Sequence, residues 1–218
     1  MSKQNWAHLA ALLVWLLPIG YLIKVFPSLP VMVPVHFGLE GKPDRYGGKD
    51  ELVQLTVIIS IVTVGVYLLF QFLPKIDPKK TARYSGDTFK KIAVALVVFL
   101  SALELFMIHS AISQNLSVIK FLLPVIGLFF AYLGNLMHSI KPNYFIGIRT
   151  PWALENAETW RVTHQLAGKL WFAGGIIVTI GTLLLPNKTG AIFFIAVTAI
   201  ITLIPVIYSY LHYKKIKE

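Results

Sequence analysis

The chain of 218 residues is 56% hydrophobic, with a mean hydropathy of +0.69, so it has too few polar side chains to cover a soluble domain of this size. Its net charge of +10 would suggest nucleic acid in a soluble protein, but in an apolar chain it predicts loop topology. The absence of cysteine excludes disulfides and a thiol nucleophile. We therefore predict an all-α polytopic membrane protein in the plasma membrane, with membrane lipid as its solvent and no direct nucleic-acid binding.

Six segments are long and apolar enough to cross a bilayer, which takes about 20 residues. They cover residues 6–26, 52–73, 92–112, 119–140, 169–185 and 191–211. The first segment has no small-residue cleavage site, so it is interpreted as an uncleaved span rather than a signal peptide. These segments predict six transmembrane helices.

Lysine and arginine are distributed unevenly between the connecting segments. Fourteen of the twenty lie in the N-terminus, the 74–91 loop, the 141–169 loop and the C-terminal tail. Basic residues are enriched in cytoplasmic loops, so both termini are predicted to be cytoplasmic and the 27–51 loop extracytoplasmic. The 75–91 loop is interpreted as a flexible basic linker that lies on anionic headgroups.

The 27–51 loop has a pattern of its own. Apolar residues alternate over 31–37, which indicates a short strand, and turn signals follow at 40–41 and 47–48. We expect a compact hairpin-like loop. Three side chains in it are of types that can bind a metal, namely His36, Glu40 and Asp44. Their spacing enforces no coordination geometry, so a structural loop without metal is favoured.

Glu104 lies inside the third predicted span, about 18 Å from its inner end at 1.5 Å per residue. A carboxylate at that depth costs several kcal/mol, so it should face the bundle interior, be protonated or have a partner. Candidate partners are Asn135, His138, Lys24 and Lys120. A structural and a functional role both stay open.

Small and polar residues recur along one side of three predicted spans. The stripes are Thr56, Ser60, Thr63 and Tyr67 in the second span, Gly127, Ala131, Asn135 and His138 in the fourth, and Gly168, Gly175, Thr179 and Thr182 in the fifth. Small residues let membrane helices approach closely, so these stripes are predicted to be packing seams rather than a permeation path.

The longest polar interruption in the second half of the chain covers residues 143–152. Thr150 can cap a helix, and Pro151 suits the first helical position. Behind them, Trp160, His164 and Trp171 share one helix face. On spacing alone, the pattern favours a short interfacial cytoplasmic helix that joins two spans, with its tryptophans at headgroup depth.

Two motifs resemble those of a known family. The first consists of Asn143, Gly147, Arg149, Thr150, Pro151, Trp152, Trp160 and His164, and it resembles the signature of the SdpI family of bacterial membrane immunity proteins. The second includes His36, Phe37, Gly41, Pro43 and Asp44, and it resembles the extracytoplasmic loop of the membrane domain that often precedes the SdpI region. Gln165 departs from the family, which often has a basic residue there, and this argues against anion binding at that position. The resemblance implies an N-terminal membrane region over 1–91 and an SdpI-like region over 92–218.

The resemblance implies protection against a secreted antimicrobial peptide toxin. It also implies a receptor role, in which toxin presence is passed to a cytoplasmic transcriptional repressor. The outward loop with the span interior would then engage the toxin, and the Arg149–Trp152 element would contact the partner. No cofactor is implied.

Two other classes of function stay open. One is a small transporter or channel that uses Glu104, and the other is a scaffold or signalling membrane protein without a toxin ligand. Motifs for nucleotide binding, zinc proteolysis and serine hydrolysis are absent from the sequence, so we do not expect an enzyme.

Overall fold

A computed structural model of the chain describes residues 3–38, 41–79, 85–113 and 117–218. Within these residues, the chain forms seven α-helices, a short 3-10 helix at Phe26–Ser28 and one two-stranded sheet. The helices are α1 (Lys3–Val25), α2 (Lys49–Ile76), α3 (Gly86–Ser113), α4 (Val118–Met137), α5 (Pro151–Glu155), α6 (Ala157–Leu184) and α7 (Asn187–Lys217), and the strands are β1 (Met32–Phe37) and β2 (Pro43–Gly48).

Every α-helix except α5 is long and apolar enough to cross a membrane, which confirms the six predicted spans. Four of them have 28 to 31 residues. At 1.5 Å per residue they reach about 42 Å or more, so their ends extend beyond a hydrocarbon core of about 30 Å. The chain is an all-α polytopic membrane protein.

The segment after α5 differs from the prediction. Residues 157–168 do not form a separate surface helix, because α6 runs without interruption from Ala157 to Leu184. It contains no proline, and the Asn156 side chain caps its start by accepting a hydrogen bond from the Thr159 N–H at 2.8 Å. The fifth span therefore begins twelve residues before the predicted position at Lys169. The predicted short helix before the fifth span therefore consists only of α5, Pro151–Glu155.

The chain divides into two compact units. The first contains Met1–Leu69 and Ala93–Leu122, and the second contains Phe70–Ile92 and Leu123–Glu218. The division of the sequence into regions 1–91 and 92–218 stays a prediction.

In the first unit, the predicted hairpin is present. β1 and β2 pair antiparallel, from Met32 opposite Gly48 to Phe37 opposite Pro43, with irregular register around His36. Val33 is fully buried, and it joins the hairpin to a core shared with α1, α2 and α3. This core consists of Leu22, Leu29, Val33, Leu52, Ile108 and Ala111. The hairpin is thus anchored to the helices by apolar packing.

In the second unit, α4 and α6 approach each other through glycine. A β carbon at Gly175 would lie 2.5 Å from the Gly127 carbonyl oxygen and 2.9 Å from the Ala131 Cα. A β carbon at Gly134 would lie 2.9 Å from the Gly168 carbonyl oxygen. Contact between backbones is what small residues permit in membranes, so the seam predicted for these two helices is confirmed.

The seam does not include all of the predicted α4 stripe. It follows residues 127, 131 and 134, at the i, i+4 and i+7 spacing of one helix face. Asn135 lies on another face of α4 and His138 lies directly after its end, and both are exposed. They were predicted to belong to the packing seam, but Gly134 occupies the contact that the prediction assigned to Asn135.

Candidate functional site

The signature loop, residues 143–150, is folded around the side chain of Asn143, which is fully buried. Its carbonyl oxygen accepts hydrogen bonds from the N–H groups of Phe145 and Ile146, both at 2.8 Å. Its amide donates to the carbonyls of Lys141 at 2.9 Å and Ile146 at 3.1 Å. One side chain thus satisfies four backbone groups that no helix or strand can satisfy here. Asn143 thus holds residues 141–146 in one conformation.

Gly147 and His164 connect this loop to α6. Gly147 has a φ of +97°, which positions the Ile148 N–H to donate to His164 Nε2 at 3.1 Å. The other ring nitrogen, Nδ1, donates to the Trp160 carbonyl at 2.8 Å. Because Nε2 must accept, this pattern requires the neutral Nδ1–H tautomer of His164.

Trp160 packs against the same histidine. Its ring stacks on His164 with centroids 4.0 Å apart, and its Nε1 donates to the Ile140 carbonyl at 2.8 Å. Only 2% of Trp160 is exposed. Trp160 and His164 were expected on a surface helix, but the structure buries both. They hold the loop against α6.

The short helix α5 is attached to α7. Thr150 occupies the N-cap position with Pro151 behind it, as predicted, but the Thr150 side chain makes no cap bond and lies 3.3 Å from Ser209 Oγ. Trp152 Nε1 donates to the same Ser209 hydroxyl at 2.9 Å. The Trp152 ring also meets Tyr210 edge-on, with centroids 5.3 Å apart. Sequence reasoning named neither α7 residue.

The far end of α5 is also held by α7. Tyr213 donates a hydrogen bond to the Glu155 carboxylate, and Lys217 lies 3.5 Å from it. The Tyr213 hydrogen bond, together with the charge of Lys217, lowers the pKa of the Glu155 carboxyl. Glu155 is therefore held as a carboxylate beside two donors.

The described parts of the 75–91 loop contact the signature segment. Asp77 accepts the Tyr144 N–H at 2.8 Å, Lys79 Nζ donates to the Leu154 carbonyl, and Ser85 Oγ accepts the Lys141 N–H at 2.8 Å. This loop was expected to be a flexible linker, but these residues are bound in place; residues 80–84 lie outside the described part of the chain. The two loops share one end of the second unit, as the grouping of basic residues predicted. Which side of the membrane that end faces stays a prediction.

An open groove of about 540 Å³ lies beside the signature loop. Arg149 lines it together with Leu154, Trp171 and Val206, so the groove combines one cation with an apolar wall. Arg149 is exposed, and its guanidinium donates to the Tyr144 carbonyl at 2.6 Å. The buried signature residues build the loop, whereas Arg149 presents its charge to this groove.

The hairpin residues of the second motif are mostly accessible. His36 Nδ1 and Asp44 Oδ1 lie 2.6 Å apart, with 65% and 50% of the two side chains exposed. Gly41 is buried, and its carbonyl accepts the Val118 N–H at 3.4 Å. Glu40, the third residue considered as a metal ligand, lies outside the described residues. The described residues contain no group of three or more histidines or carboxylates that could hold a metal.

Glu104 is fully buried within the first unit. Ser60 Oγ of α2 donates to Glu104 Oε1 at 2.9 Å, and the Ser60 carbonyl accepts Trp15 Nε1 at 3.2 Å. Glu104 Oε2 and the hydroxyl of Ser101 have no hydrogen-bond partner among the described residues. Glu104 faces the interior as predicted, but the partner is Ser60. That serine belonged to the predicted α2 stripe and was not connected to Glu104.

Comparisons with known proteins match both motifs. The model of the SdpI/YfhL protein family matches residues 139–209, and the model described as a domain of unknown function, DUF1648, matches residues 13–61. "Immunity protein SdpI" of Bacillus subtilis (strain 168) is 25% identical over 198 residues, which is 89% of this chain and 89% of that protein. An "Uncharacterized protein" of Archaeoglobus fulgidus is 36% identical over 61 residues, 28% of this chain and 31% of that protein. No solved structure matches.

The matched regions contain the structural features described above. Residues 139–209 include the signature loop, α5, all of α6 and Ser209, and residues 13–61 include the hairpin and Ser60. The chain is therefore a multi-pass cell-membrane protein whose residues 139–209 match the SdpI/YfhL family model and whose residues 13–61 match the DUF1648 model.

Proposed function

We propose that this chain is a non-enzymatic immunity protein of the cell membrane that protects its cell from a secreted antimicrobial peptide toxin. The observation that carries the proposal is the similarity to Immunity protein SdpI, which extends over 89% of both chains and includes both loops of interest. The hairpin and the signature loop are assigned separate roles within it.

The hairpin supplies the contact with the toxin. His36 and Asp44 form an exposed polar pair, while Val31 and Met32, at the other end of the hairpin, leave 81% and 51% of their surface exposed. An apolar peptide in the membrane interface can therefore meet both apolar surface and hydrogen-bonding groups here. Val33 keeps the hairpin in place beneath this surface.

The groove beside the signature loop supplies the contact with a cytoplasmic repressor. An exposed arginine next to an apolar wall is a frequent anchor in protein interfaces. Arg149 and Trp171 give the groove both features, and the buried loop behind it is rigidly hydrogen-bonded. A rigid loop lowers the entropy cost of binding a partner.

Complementation tests the proposal. A Bacillus subtilis strain that lacks Immunity protein SdpI is made to express this chain and is exposed to culture fluid of its parent strain, and survival is counted. We expect protection by the unaltered chain. Arg149→Ala is expected to weaken binding of the repressor about tenfold, the loss of about 1.4 kcal/mol of one anchoring contact, and to lower the tolerated toxin concentration because the cell then responds less to the toxin.

Arg161→Ala is the matched control, because Arg161 is an exposed arginine that pairs with Glu158 outside the groove. Both variants are compared at equal amounts in the membrane fraction. Unchanged killing in cells with the unaltered chain contradicts the immunity proposal. Full protection by Arg149→Ala removes the groove from the mechanism and leaves the hairpin.

The buried carboxylate favours a second candidate, a small transporter that uses Glu104 as its coupling group. A buried Oε2 without a partner is an ion- or proton-binding atom in many membrane proteins. This candidate predicts proton-coupled flux into proteoliposomes that Glu104→Gln abolishes and Glu158→Gln, at the protein surface, does not. On the immunity proposal we expect no flux above protein-free vesicles, measured with an internal pH dye.

A scaffold without a toxin ligand is distinguished by the same complementation experiment. It predicts a cytoplasmic partner that binds the 141–169 segment, together with survival no better than that of cells without the chain.

A further inference from the structure

A second open groove, of about 530 Å³, lies between α4 and α6. Four polar side chains line it, two from the end of α4 and the residue that follows it and two from successive turns of α6. They are Asn135, His138, Gln165 and Lys169. All four are exposed, although both helices belong to the six that can cross a membrane. Polar side chains on the outer face of membrane helices are costly unless they meet a polar partner there.

The groove lies at the level where hydrocarbon gives way to headgroups. Gly168, in its floor, packs against Gly134, which is sixteen residues from the start of α4 at Val118. At 1.5 Å per residue, Gly134 lies about 24 Å from the start of α4 and close to its end. The hydrocarbon core of a bilayer is about 30 Å thick, so Gly134 lies near one boundary of that core. A lysine at this depth extends its ammonium toward the phosphate layer. Lys169 can therefore reach a headgroup from the groove, which Phe172 also lines.

The lining groups suit an anion. The groove is lined by a lysine, a histidine and two amides, and no carboxylate is among the described residues that line it. Gln165 Oε1 accepts an N–H from Arg161 at 3.4 Å, which leaves the Gln165 amide NH₂ as a donor. Gln165 lacks the charge expected for an anion site, and Lys169, one turn later, supplies it.

The end of α4 does not oppose an anion strongly. Helix C-termini carry partial negative charge on carbonyls that lack donors. Here the Ser139 N–H and hydroxyl both donate to the Leu136 carbonyl, at 3.0 and 2.7 Å, and the Ile140 N–H donates to the Met137 carbonyl at 3.2 Å. The carbonyls nearest His138 are thus already engaged.

We propose that this α4–α6 groove binds the phosphate of a phospholipid headgroup through Lys169 and His138, with the amides of Asn135 and Gln165 as further donors. Basic pockets between membrane helices bind anionic headgroups by this chemistry. The acyl chains lie along the apolar outer surface of the two helices. This site is separate from the groove beside the signature loop, and it does not depend on the immunity proposal.

Native mass spectrometry of the full chain in detergent tests the site with three probes. Dioleoyl phosphatidylglycerol is compared with dioleoylglycerol, which has the same acyl chains without phosphate, and with inorganic phosphate. We expect retention of the phosphatidylglycerol only. Lys169→Met is expected to weaken its affinity about tenfold, the loss of one charge-assisted hydrogen bond to phosphate. His138→Ala should weaken it in the same direction.

Lys141→Met is the matched control, because Lys141 is an exposed lysine at the same end of the second unit that does not line the groove. Because Lys169 and His138 are exposed, we expect neither replacement to disturb folding. Thermal unfolding without added lipid verifies this. Equal affinity of Lys169→Met and the unaltered chain for phosphatidylglycerol overturns the proposal. So does equal retention of dioleoylglycerol, whereas binding of inorganic phosphate alone would show that the occupant is a free anion and not a lipid.

Discussion

Gly175→Ala is expected to lower the free energy of unfolding by about 3 kcal/mol or more, at the upper end of what overpacking costs. A β carbon at this position would lie 2.5 Å from the Gly127 carbonyl oxygen and 2.9 Å from the Ala131 Cα. Both atoms belong to the backbone of α4, so no side chain can rotate to make room. The two helices must separate along their whole seam, which includes the Gly134–Gly168 contact.

The separation also breaks a hydrogen bond between the helices. Thr179 Oγ1 donates to the Pro124 carbonyl at 3.2 Å, one turn from Gly175. Thermal unfolding in detergent measures the loss, and the temperature of half-unfolding should fall clearly. Gly65→Ala is the control, since Gly65 also lies inside a spanning helix but a β carbon there would have nothing within 4 Å. A replacement at Gly175 that costs no more than the one at Gly65 would contradict the close packing of α4 and α6.

Gly147→Ala is expected to disrupt the signature loop, with a cost of about 2–4 kcal/mol from two sources. A φ of +97° is unfavourable for any residue with a side chain, by about 1–2 kcal/mol. In addition, the new methyl group would overlap His164 Nε2, the atom that accepts the Ile148 N–H. Moving the histidine leaves that N–H unpaired, which costs about 1–3 kcal/mol when it is buried.

Limited trypsin digestion in detergent micelles detects this change directly. The bond between Arg149 and Thr150 is cleavable, and it follows directly on the segment that the network around Asn143 holds in a fixed conformation. Cleavage at this bond should be faster in the Gly147→Ala variant than in the unaltered chain. Gly190→Ala, where a β carbon meets nothing closer than 3.7 Å, should leave the rate unchanged. Equal digestion of both variants would mean that Gly147 does not determine the loop conformation.

Sequence alone predicted what depends on local composition. Six apolar segments of sufficient length predict six spans, because a helix of about 20 residues satisfies its own backbone groups inside lipid. The alternating residues of β1 and the turn at Gly41 predict the hairpin for a similarly local reason. The glycines of α4 and α6 predict a seam because small residues allow the backbones of two membrane helices to approach closely.

The errors concern which residues meet across the fold. Asn135 differs from Gly134 by one position, yet that step of about 100° around the helix moves it from the seam to the surface. Ser60 and Asp77 are ordinary polar residues in the sequence, and only the folded chain brings them to Glu104 and the Tyr144 N–H. The start of α6 was misplaced because the polar residues of 157–168 suggested a break, although no proline or cap residue creates one.

The unbroken length of α6 couples its two ends mechanically. About 42 Å of continuous helix carries His164 near one end and the Gly175 contact near its middle. Because no proline interrupts α6, a tilt of the part that carries Gly175 also moves Trp160, His164 and the attached loop. A movement at one end of α6 can therefore reach the signature loop without a hinge within the helix.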